Sequence, residues 1–296
     1  MEAKSGGTIV FPENRRIEKM FLFIILTYGI TWVLWYFEFR GMSGFRIAGS
    51  FVPSLMGLFF LYQERGLFPK HKKIQLSPFF ICFGLLYSVL SLLLPYLIAR
   101  VLDSNTEAFH IRNEVGGITF HNPFMAALIF ILVLVAGGPL GEEIGWRGYL
   151  FRKLCLRLNP LLAAVMVGIV WAGWHIPMFV FHADGYEMSF ALYLLQTIFL
   201  SIIISTVFVK CGCSIWAAVL FHTIDNFVLS IGYQEALGTV CTYSICYWSL
   251  QGIIVLILGV VLARTQRIKK NEPLGSLPFQ DEFYIIRLIH GYHGGF

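Results

Sequence analysis

Three short stretches of this sequence place ionisable or amide side chains inside otherwise apolar runs. They are Gly141-Glu142-Glu143-Ile144-Gly145-Trp146-Arg147, Trp171-Ala172-Gly173-Trp174-His175 and Phe221-His222-Thr223-Ile224-Asp225-Asn226. A charged group at the depth of a bilayer centre costs at least about 2.5–3.5 kcal/mol on insertion scales, so each such group asks for a chemical reason. Glu143 and Arg147 stand four apart with the acid first, the spacing that joins two helical side chains as an ion pair. Glu142 is turned about 100° from Glu143 and is the carboxylate left over, suited to taking a proton from water. The competing reading is a buried ion cluster of all three with no chemistry. His222 and Asn226 are also four apart, so an imidazole and an amide donor can point into one cavity, although such a pair alone could equally be interhelical glue. Asp225 falls on another face, where it could orient a neighbour. His175, taken alone, reads as a hydrogen-bonded core residue ahead of Ile176-Pro177.

The elements that must position these residues are membrane-spanning helices. Of 296 residues, 57% are hydrophobic and 13% charged, against roughly 25% charged in a soluble domain. Eight apolar runs of bilayer-crossing length predict an all-α polytopic membrane protein: Met20–Phe37, Ile47–Tyr62, Leu76–Ala99, Met125–Leu140 with a continuation, Leu161–Phe181, Met188–Val209, Gly212–Ile231 and Val240–Ala263. The second is short and contains Pro53. The first follows Arg15, Arg16 and Lys19 and is too long for a signal-peptide core, so it reads as a span. Cytoplasmic loops carry the excess of Lys and Arg. With both termini cytoplasmic, 17 of the 22 basic residues fall inside and only Arg40, Arg46, Arg100 and Arg112 outside, Arg147 lying within the membrane. One integral membrane domain is expected, comprising helices 1–3 and an external loop in 1–123, a helical core in 124–230, and the last span with a cytoplasmic tail in 231–296. The loop 101–123 leaves room for a short surface helix.

Asn159-Pro160 is a strong turn signal that makes residues 125–181 a helical hairpin. Glu142 precedes that turn and His175 follows it by similar numbers of residues, which puts them roughly 26 and 23 Å from it, at nearly one level. His222, about ten residues into its own helix, reaches a comparable depth after two or three exposed turns below the hairpin are allowed for, and convergence is expected in the cytoplasmic half of the bilayer. Gly137-Gly138-Pro139 should break the fourth span beside Glu142, and backbone irregularity at that depth is tolerated only where it lines protein or water.

Together the three stretches resemble the CPBP family, the CAAX proteases and bacteriocin-processing enzymes also called the Abi family. Its pattern is E-E-x-x-x-R, F-x-x-x-H and H-x-x-x-N. Here these stand as Glu142-Glu143 with Arg147, Trp171 with His175, and His222 with Asn226, within about residues 124–230. Trp171 departs from the commoner Phe but keeps an aromatic for packing, and the Gly-Trp-Arg-Gly-Tyr run around Arg147 looks like a frequent bacterial variant. The resemblance implies an intramembrane endopeptidase. In it Glu142 with His175 would activate water, His222 and Asn226 would stabilise the oxyanion, and Glu143 and Arg147 would hold the helix geometry.

The nearest rival is a zinc-dependent protease with Glu142, His175 and His222 as ligands. No H-E-x-x-H is present, and Asn226 is a poor zinc ligand but a good oxyanion donor, so no cofactor is expected. A non-catalytic membrane scaffold or immunity protein is the alternative from another class; a transporter is a third, disfavoured because the charges share one level. The expected partners are a peptide or protein substrate in or at the membrane, prenylated or otherwise, and the lipid bilayer. No Lys/Arg face with interleaved aromatics suggests nucleic acid. The six cysteines form no C-x-x-C pair, although Cys241 and Cys246 could pair if external. The absence of an N-x-[ST] sequon fits a bacterial plasma membrane.

Overall fold

The computed structural model describes residues 13–64, 78–106, 114–115, 118–119, 122–136, 138–183, 186, 188–231 and 241–269. The helices are α1 (Glu13–Phe39), α2 (Phe45–Gln63), α3 (Pro78–Leu102), α4 (Pro123–Ala136), α5 (Pro139–Glu143), α6 (Arg152–Cys155), α7 (Pro160–Trp174), α8 (Ile176–Val180), α9 (Phe190–Lys210), α10 (Ile215–Ile231) and α11 (Thr242–Lys269). A π-helical segment, Ile144–Phe151, joins α5 to α6. Among the described residues, seven helical stretches are long and apolar enough to cross a membrane, and α10 is a shorter apolar helix. The chain is a multi-pass integral membrane protein, and among the described residues these seven stretches with α10 correspond to the eight apolar runs of the sequence. Where the external loop left room for a surface helix, the described residues instead form a small antiparallel hairpin, β1 (Glu114–Val115) and β2 (Ile118–Thr119). The segments 65–77 and 270–296, which hold several of the basic residues used for orientation, lie outside the described residues.

Local chemistry explains the breaks. Asn159 caps α7 by accepting the Leu162 N–H at 2.8 Å, and Pro160 occupies the first helical position, where its missing N–H costs nothing. The expected hairpin turn is therefore present. Pro53 sits inside α2 and cannot bond the Gly49 carbonyl one turn back; the Thr31 hydroxyl of α1 donates to that carbonyl at 3.2 Å instead. Past α7, Pro177 cannot bond the Gly173 carbonyl, which takes the His175 N–H instead, and the indole of Trp32 donates to the adjacent Trp174 carbonyl at 2.9 Å. The fourth span breaks as expected: α4 stops at Ala136, and α5 restarts from Gly138 with φ +102° and Pro139 at its first position.

Lipid tails give helices no hydrophobic reason to associate, so close packing of small residues and interhelical hydrogen bonds hold the bundle. A Cβ on Gly141 would strike the Ser50 carbonyl of α2, and one on Gly145 the Pro53 carbonyl. The broken fourth span therefore lies backbone-to-backbone against α2. Phe23, Phe60, Trp146 and Tyr149 form an edge-and-stack cluster behind it, with Phe23–Trp146 centroids 6.0 Å apart and Phe60–Tyr149 5.5 Å.

One expectation about depth is corrected. Only the tip of the hairpin is exposed, at Leu156, Arg157 and Asn159; Arg152 and Lys153, one turn further in, are buried, and Lys153 pairs with buried Glu64 at 2.5 Å, with Lys19 3.9 Å from the same carboxylate. This cluster ties the start of α1, the end of α2 and α6 together at one end of the bundle. Gly141 meets α2 at Ser50, about 8 Å along from Phe45 and about 21 Å short of Glu64. The site thus lies toward the α1–α2 connection, the opposite end from the Lys153–Glu64 cluster.

Candidate active site

Glu142, at the end of α5, and Glu143 beside it divide the local charges between them. The Glu143 Oε1 atom accepts from Arg147 Nη1 at 2.8 Å and pairs with His222 Nδ1 at 2.8 Å. Glu143 and Arg147 have no solvent exposure, and His222 has 2%. The ion pair inferred from the sequence is present, although the backbone carrying Arg147 is π-helical rather than α-helical, a widened turn often found at functional sites. Glu142 carries no ion pair among the described residues, but it is not free of partners. Its Oε2 accepts from the indoles of Trp171 at 2.6 Å and Trp146 at 3.3 Å. Its Oε1 lies where a Cβ on Gly138 would fall, so that glycine makes room for the carboxylate.

His175 stands at the junction of α7 and α8. Its Nδ1 lies 3.0 Å from the Trp171 carbonyl. A carbonyl only accepts, so Nδ1 carries the proton and the neutral ring presents Nε2 as the acceptor. Aromatic rings surround the imidazole, with centroids at 4.7 Å for Trp174, 5.4 Å for Tyr193, 5.7 Å for Tyr186 and 5.9 Å for Trp35. Burial pushes the Tyr186 hydroxyl, in the α8–α9 connection, up to about 12, opposed by the charge of Arg46. The Trp171 indole bonds Glu142, its ring lies 5.0 Å from that of His222, and His222 bonds Glu143, so the three motifs converge. Asn226 follows His222 by one turn of α10 and is half-buried.

Bonding through Nδ1 constrains His222 in turn. As a neutral ring donating to Glu143 it offers a lone pair at Nε2; it offers an N–H there only as imidazolium, with the Glu143 carboxylate opposite. Asp225 does not orient a site residue by hydrogen bond. Its Oδ1 accepts from Ser88 of α3 at 3.1 Å, in a separate polar cluster where Tyr87 donates to Gln251 at 2.7 Å.

These positions fall inside a recognisable family segment. The model for type II CAAX prenyl endopeptidases, described as Rce1-like, matches residues 124–228. A CAAX prenyl protease 2 from Methanococcus maripaludis is 29% identical over 230 residues, covering 69% of this chain and 82% of that protein. Over this segment the chain is similar to the type II CAAX prenyl endopeptidases.

The matched segment supplies Glu142, His175, His222 and Asn226, whereas Ser50, Pro53 and Trp35, which wall the site, come from helices outside it. The indole bonds and the seat at Gly138 were missed in the sequence. Their signals were the four-residue spacing of Glu142 and Trp146 and a Trp, which can donate, at a position where Phe cannot. No three His, Cys, Asp or Glu side chains among the described residues are gathered closely enough to hold a metal.

Proposed function

We propose that this protein hydrolyses a peptide bond in a membrane-associated substrate, with Glu142 and His175 activating the water and His222 and Asn226 receiving the oxyanion. The observation that carries this reading is the division of labour between adjacent carboxylates. Glu143 takes the cationic partners, while Glu142 is held by neutral indole donors and keeps lone pairs for a water proton. The Nε2 lone pair of His175 is the second acceptor. As the water oxygen attacks the scissile carbonyl, its proton passes to Glu142, the new oxyanion takes hydrogen bonds from imidazolium His222 and from the Asn226 amide, and the proton is then delivered to the leaving amine.

The finer substrate reading rests on the relatives' descriptions as CAAX prenyl proteases. A C-terminal C-a-a-X sequence carries its lipid on the cysteine, which keeps the scissile region at the bilayer and suits a site set among spanning helices. On this reading the enzyme sits in a bacterial plasma membrane and acts on a prenylated C-terminus or a comparable membrane-held peptide. The test uses purified protein in liposomes and an internally quenched C-a-a-X peptide, with and without a farnesyl group. Cleavage that survives chelation and metal analysis and is lost in folded Glu142→Gln supports the mechanism. Undiminished cleavage by Glu142→Gln overturns it, and loss on chelation that zinc restores replaces it with the metal-dependent reaction.

A further inference from the structure

Trp171 touches four of the charged or titratable groups around which the site is built: Glu142, His175, His222 and Arg147. Its indole N–H bonds Glu142 at 2.6 Å and its carbonyl accepts from His175 Nδ1 at 3.0 Å. Its ring meets His222 edge-on with centroids 5.0 Å apart, and the Arg147 guanidinium carbon lies 4.9 Å from the ring centroid. The side chain is 4% exposed, so the indole donor is shielded from bulk water. Three of these four contacts need only an aromatic ring or a backbone carbonyl and would survive with Phe, the commoner residue of the motif. The fourth needs the indole nitrogen. The second donor to the same oxygen, Trp146 at 3.3 Å, is longer and cannot replace it.

We propose that Trp171 is a positioning residue for Glu142: its N–H pins Oε2, so that the carboxylate rotation, and with it the oxygen that takes the water proton, is set by an indole. This rests on the reading of Glu142 as the base. A buried, charge-assisted hydrogen bond from a rigid ring fixes a carboxylate more tightly than packing alone, and catalytic groups must be held within about 0.5 Å of productive geometry. Trp171 therefore replaces a packing aromatic with one that both packs and orients.

The experiment compares Trp171→Phe, Trp171→Ala, Glu142→Gln and the wild type on the quenched farnesylated peptide in liposomes, with thermal unfolding measured alongside. Trp171→Phe should lower kcat about tenfold or more, leave KM within about twofold and shift the unfolding midpoint little, because only the donor is lost. Trp171→Ala should lose activity and stability together. If Trp171→Phe does not fold, the isostere β-(3-benzothienyl)alanine at position 171, which has sulfur in place of the N–H, gives the same test in an unchanged shape. Wild-type kcat in the folded donor-less protein overturns the positioning role, as does a loss seen only in KM or only in stability. Should Glu142→Gln prove active, the reading of Glu142 fails instead, so the two failures are distinguishable.

Discussion

Replacing Glu143 by Gln separates charge from shape at the centre of the bundle. The amide oxygen can take the place of Oε1 and still accept from Arg147 Nη1 and His222 Nδ1, both now at 2.8 Å. What disappears is the negative charge facing a guanidinium with no solvent exposure. Removing one partner of a buried pair costs about 3–5 kcal/mol, and the retained hydrogen bonds put this substitution near the lower end. A loss of about 3 kcal/mol corresponds to a fall of roughly 6–10 °C in Tm for a chain of this order of size. Activity should fall as well, because imidazolium His222 loses the carboxylate opposite it. The double variant Glu143→Gln/Arg147→Met restores neutrality and should recover at least half of the lost stability but little activity, since His222 remains without its counter-charge. Thermal unfolding of detergent-purified protein and peptide cleavage in liposomes measure the two separately. A single-variant cost below about 1 kcal/mol, or a double variant with recovered turnover, would refute this account of Glu143 as shared between Arg147 and His222.

Two further outcomes test the same frame. Gly138→Ala should abolish most activity, because the new Cβ falls on the Glu142 carboxylate and the backbone at φ +102° disfavours a side chain by about 1–3 kcal/mol; wild-type turnover in the folded variant would show that Glu142 does not need this seat. Lys153→Met leaves buried Glu64, at the far end of the bundle, facing the more distant Lys19 at 3.9 Å and should cost up to about 3–5 kcal/mol of stability with little change in kcat per folded molecule. A kcat loss as large as that of Glu142→Gln would instead couple that cluster to the chemistry.

The site was partly legible because its chemistry is written in short-range spacing. Glu143 and Arg147, and His222 and Asn226, each lie four apart on one helical segment, so a periodicity argument finds both pairs. Asn159-Pro160 and Gly138-Pro139 break helices through their own dihedral preferences and capping groups, which no tertiary context had to supply. A run of uncharged residues long enough to cross a bilayer likewise needs no partner to be recognised, so eight passes could be counted from the sequence. Lys153 could not be placed in that way. A lysine beside a turn reads as solvated, and its burial here goes with the arrival of Glu64 at the end of α2.

The sequence by itself determined the membrane-spanning helices, the turn between α6 and α7, the break before Glu142 and the Glu143–Arg147 pair, because each depends on residues within one or two turns of one another. Tertiary structure alone decided that Glu143 also holds His222, that Trp171 and Trp146 both bond Glu142, that α2 lies close enough to Gly141 and Gly145 to wall the site, and that the site lies toward the α1–α2 connection. Those contacts join different segments of the chain, and their distances follow from how the helices pack rather than from spacing along any one of them.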